Sequence, residues 1–60
     1  MEIDLSAAEH NLLIRLVEGA LSDTRVEVRR TTTPEFRDRL QTEEHQLAGL
    51  LERLRTSSAA

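Results

Sequence analysis

The sequence predicts an all-α protein: an antiparallel two-helix hairpin that dimerises into a four-helix bundle. Three observations predict it. Apolar residues recur at helical spacing in two long stretches, and the only proline, Pro34, stands between them. The first stretch also carries more apolar surface than one neighbouring helix can cover. The expected helices cover residues 6–31 and 34–55, and so short a connection makes them antiparallel.

The excess lies in residues 12–21, LLIRLVEGAL. They hold seven apolar side chains: Leu12, Leu13, Ile14, Leu16, Val17, Ala20 and Leu21. At about 100° per residue, counted from Leu12, these spread over roughly 200° of the helix. A stripe of roughly 100° suffices for one partner. A chain of 60 residues can offer only one more long helix, so the missing partner is expected to be a second copy. Leu12, Leu13, Leu16, Val17, Ala20 and Leu21 are the expected self-association interface.

Taken in order, Met1–Leu5 alternates apolar and acidic residues. It is expected to be a lead-in, with Leu5 packing down on the first helix, rather than a strand. Ser6-Ala7-Ala8-Glu9 has the spacing of a capping box, in which hydroxyl and carboxylate each accept from the other residue's backbone N–H. The end of the first helix has two readings. Residues 25–31 could form a strand, because Val26 and Val28 alternate with charge and threonines follow. Alternatively, Thr24, Val28 and Thr31 continue the apolar arc without a phase break, and the helix runs on to Thr31. The long helix is preferred, since a lone strand would leave its backbone groups unpaired. Gly19 in its interior costs about 1 kcal/mol, which several buried leucines can offset.

Thr33-Pro34 reads as a cap followed by proline at the first helical position. In the second helix Phe36, Leu40, Leu47, Leu50, Leu51 and Leu54 fall within about 100° of arc, enough for one seam. Glu35–Arg39 and Arg39–Glu43 are supporting i,i+4 pairs. Residues 56–60 are expected to be a frayed tail.

Composition narrows the functional classes. Sixty residues make one domain, close to the lower limit for a self-supporting core. No cysteine is present, so neither a disulfide nor a thiolate metal site is expected. Phe36 is the only aromatic residue, which leaves no stacking platform for single-stranded nucleic acid. No apolar run approaches a membrane span and no export signal is apparent, so a cytoplasmic location is expected. The net charge is −3, with the arginines concentrated near the turn.

Candidate chemistry is sparse. Bundle metal sites use Glu-x-x-His, but Ala7 precedes His10 by three residues and Thr42 precedes His45 by three. No nucleophile arrangement or glycine-rich phosphate loop is found. Catalytic residues, cofactor and metal are therefore all expected to be absent. Glu43 falls near the centre of the second helix's apolar arc. A carboxylate there needs a cation, Arg25 being the best placed and Arg39 the alternative, with Glu44 adjacent. Such a layer is read as setting register and oligomer state, as polar core positions do in coiled coils, rather than as a functional site. Arg25, Arg29, Arg30, Arg37 and Arg39 gather towards the turn, the basis of an alternative reading as a regulatory nucleic-acid binder. Asp23, Glu27, Glu35 and Asp38 are interleaved with them, which favours a solvated salt-bridge network. A ribbon-helix-helix repressor does not fit, because its reading strand would carry Glu2 and Asp4.

The segment Leu21-Ser22-Asp23-Thr24-Arg25-Val26-Glu27-Val28, with Thr31, Phe36-Arg37 and Leu40, resembles a group of short bacterial proteins of about this length. Their pattern is L-S-D-L-R-x-E-I-x-x-T, then F-R-x-x-L, then a leucine-spaced tail. The resemblance covers nearly the whole chain and implies a helical hairpin without implying any chemistry. It also implies a polar cluster of Arg25, Glu27 and Arg37 near the turn. Thr24 and Val28 stand where the pattern has leucine and isoleucine, which implies a looser middle layer. The expectation is a non-enzymatic helical protein that self-associates, most simply as a homodimer, and mediates protein–protein interaction.

Overall fold

A computed structural model describes residues 3–57, which form two helices, α1 (Ala7–Arg30) and α2 (Pro34–Thr56), packed against each other. The long-helix reading therefore holds: residues 25–30 continue α1 and form no strand. Residues 3–6 have no regular structure, and Leu5 is half-buried. Residues 1–2 of the lead-in and 58–60 of the tail lie outside the described residues.

The start of α1 is fixed by the sequence alone. The Ser6 N–H donates to Glu9 Oε1 at 2.9 Å, and the Glu9 N–H donates to Ser6 Oγ at 3.1 Å. Two of the backbone donors that a helix start leaves unpaired are satisfied in this way. The Ser6 backbone N–H, and after it the Ser6 hydroxyl, hold the Glu9 carboxyl below its ordinary range.

Threonine closes α1 without help from glycine. The Thr31 N–H and hydroxyl both donate to the Glu27 carbonyl, at 2.9 and 2.7 Å. Thr31 and Thr33 are both extended, so the connection turns with no positive φ. Thr33 departs from expectation: it occupies the N-cap of α2 but makes no side-chain capping bond. The start there rests on Pro34, whose fixed φ suits the first helical position and whose missing N–H needs no acceptor. At the other end α2 includes Thr56, expected in the frayed tail. Its hydroxyl donates to the carbonyls of Glu52 and Arg53.

The core between the helices is thin. Val17 and Leu21 of α1 and Leu51 of α2 are its buried apolar members, with Leu13, Ile14, Leu47, Ala48 and Leu54 packed partly around them. Thr24 is buried one turn beyond Leu21. The hairpin is long and narrow, 42 × 20 × 15 Å, with a radius of gyration of 13.6 Å. A compact chain of this length would have about 10.4 Å.

Candidate interaction surfaces

The helix seam divides the hairpin into two long faces of opposite character. Along one runs a polar row: Glu18, Ser22, Arg25 and Arg29 on α1, facing Ala48, Glu52 and Arg55 on α2. Spacings of three and four residues put each set on a single flank of its helix. Arg55 Nη2 donates to Glu18 Oε2, and Arg25 Nε donates to Glu44 Oε2 at 3.2 Å. The Glu18–Arg55 pair spans an open groove of about 430 Å³ that is also lined by Leu21, Leu51 and Arg25. Arg25, Glu18 and Arg55 lie largely in water and Glu44 is half-buried, so each pair is worth about 1 kcal/mol or less. Beyond this groove, near the ends of the chain, His10 Nε2 lies 3.2 Å from Ser57 Oγ.

Since the ion pairs tie the polar flanks together on one side, the flanks beyond the seam lie together on the other. On α1 that flank carries Leu13, Leu16 and Ala20, with Leu12 further round, and on α2 it carries Leu50 beside Leu47 and Leu54. Leu16 is 60% exposed, Leu12 47% and Leu50 43%. Leu13 and Ala20 are half-buried. The expected self-association set therefore splits. Val17 and Leu21 are only 7% and 5% exposed, because α2 of the same chain covers them. Leu12 and Leu16 face water, and Leu13 and Ala20 sit at the margin.

The polar cluster is rearranged in the same sense. Glu43 is exposed, and Glu44, one residue on, turns towards α1 and meets Arg25. The contact face of α2 is thus rotated from the centre of its apolar arc, and runs through Leu40, Glu44, Leu47, Ala48 and Leu51. The reason is that α1 offers Leu21, Thr24 and Arg25 there, to which Leu51 and Glu44 are complementary. Arg39, the alternative cation, lies with its guanidinium carbon 5.9 Å from the centroid of the Phe36 ring. Glu27 and Arg37 are exposed, and no ion pair joins Arg25, Glu27 and Arg37 among the described residues. Arg29 and Arg30 end α1, where cations suit the helix dipole.

Among the described residues no group of three His, Asp or Glu side chains is arranged to hold a metal ion. No helix among them is long and apolar enough to cross a membrane. Compared with protein families, curated proteins and solved structures, the chain matches none of them.

Proposed function

We propose that this is a non-enzymatic helical protein that self-associates as a homodimer, a four-helix bundle, and acts by binding another protein. The observation that carries this reading is the exposed leucine flank: Leu12 and Leu16 of α1 lie on the same side of the seam as Leu50 of α2, away from both ion pairs.

In the proposed dimer the leucine flanks of two hairpins meet and the polar groove of each remains open. The groove, with Arg29 and Glu52 beside the Glu18–Arg55 pair, is then the surface left for another protein. Sedimentation equilibrium at micromolar concentration tests the proposal. Twice the chain mass of 6.8 kDa is expected, and reversion to a single mass in Leu16→Glu. A wild-type chain that stays monomeric would overturn it.

A further inference from the structure

Around the hairpin turn the salt-bridge network expected from the sequence does not form. Arg29 and Arg30 end α1, and Arg37 and Arg39 lie in the first two turns of α2. All four are exposed, and none joins an ion pair among the described residues. The pairs that do form, Arg25–Glu44 and Glu18–Arg55, lie further down the hairpin. Glu27, Glu35 and Asp38 stand among the four arginines without pairing to them.

Helix electrostatics accounts for only half of this cluster. Arg29 and Arg30 are at the negative end of the α1 dipole and are favoured there. Arg37 stands one turn into α2, at the positive end of that helix, where a cation gains nothing. Arg39 is set against Phe36, with its guanidinium carbon 5.9 Å from the ring centroid. That ring belongs to the only aromatic residue of the chain and is 45% exposed. Aromatic rings and guanidiniums are the side chains that protein interfaces concentrate.

The charge of the chain is also divided along its length. Residues 29–39 hold four arginines against Glu35 and Asp38, a net +2 in a chain of total −3, which leaves −5 on the remainder. A partner drawn to the turn must therefore be acidic over a short span, since one that continues along the body meets like charge. Nucleic acid fits poorly. A duplex carries a charge about every 1.7 Å, and its phosphates would run on past the arginines over the acidic body. A short acidic segment of a protein fits, because each guanidinium can donate two parallel N–H bonds to one carboxylate.

The groove assigned above to another protein reaches this end through Arg29. Resting on that protein-binding reading, we propose that the turn docks an acidic, leucine-bearing segment of the partner protein. Arg29, Arg30 and Arg37 hold its carboxylates, and Phe36 with Arg39 receives an apolar side chain.

The probe is a short peptide of glutamates interspersed with leucines, added to the full chain at low salt. Amide NMR signals of residues 29–39 are expected to shift, with an affinity that falls as salt rises. Arg37→Glu should weaken binding about tenfold. Arg53→Glu, the same change of charge at an exposed position near the other end of α2, should leave it unchanged. Phe36→Ala should weaken this peptide and spare an all-glutamate one. Equal weakening by both charge reversals, or none by Phe36→Ala, would overturn the site. Tighter binding of a DNA duplex would overturn it as well. Shifts confined to Ser22 and Glu52 would overturn the turn while leaving the groove as the protein-binding surface. A peptide that does not bind at all also ends the proposal, and the mass of the chain in solution decides self-association separately.

Discussion

Arg25 donates its Nε–H to Glu44 and not to Glu43, and that single residue of difference reports how α2 is rotated against α1. With Glu44 turned inwards, Leu51 reaches the core one face over, and Glu43 and Leu50 are left outside. The pair therefore marks the boundary between a face closed by the hairpin itself and a face left open.

A double-mutant cycle on Arg25 and Glu44 is expected to give a coupling of about 0.2–1 kcal/mol, falling as salt rises. The same cycle on Arg25 and Glu43 is expected to give none. Urea unfolding of the four variants checks it, and an equal coupling for Glu43 would place α2 in the other rotation.

Gly49→Ala is expected to stabilise the protein by about 1 kcal/mol. Gly49 lies inside α2, and a Cβ built there meets nothing within 4 Å, so only the conformational freedom of glycine is lost. Gly19 in α1 is equally open in the single chain. A thermal shift upward for Gly49→Ala, unchanged by protein concentration, is the readout.

Thr24 is buried next to an otherwise apolar seam. Replacing its hydroxyl by a methyl group in Thr24→Val keeps the shape and adds apolar contact. A gain of up to about 1 kcal/mol is expected. Thr24→Asp should instead bury an unpaired charge and lose several kcal/mol. Chemical denaturation of both variants distinguishes this from a solvent-facing Thr24, at which neither change would matter much.

The Ser6–Glu9 box gives the N-terminus of α1 a pH dependence of known sign. The Glu9 carboxyl titrates below its ordinary value in the folded chain. Its contribution is therefore complete above the unfolded pKa and is lost as pH falls through the lower, folded one. Amide exchange at the start of α1 should accelerate over that acidic range. In Glu9→Gln the amide oxygen can still accept from Ser6, so the acid-dependent part should vanish while the helix start persists.

Both helices could be read from the sequence almost to the residue, because their limits are set by local chemistry. Ser6 and Glu9 cap one helix and Pro34 begins the other, while the apolar phase from Ile14 to Val28 runs through Gly19 unbroken. The rotation of α2 could not be read, because its apolar arc has two usable centres. The arc alone favours the line through Glu43, whereas the observed face follows Glu44 and Leu51, a choice settled by what α1 offers opposite. Similarly, the width of the arc on α1 announced surplus apolar surface. It could not say that Val17 and Leu21 are spent inside the chain and that Leu12 and Leu16 remain.

The measurement that bears most directly on self-association is the mass in solution of the wild-type chain beside Leu16→Glu, by sedimentation equilibrium across the micromolar range. Leu16 is 60% exposed in the hairpin, so the substitution should cost the single chain less than about 1 kcal/mol, while placing a carboxylate in the proposed interface. A dimeric wild type and a folded, monomeric variant are predicted. A wild-type chain that is folded and monomeric throughout, with its leucine flank in water, would contradict the proposal.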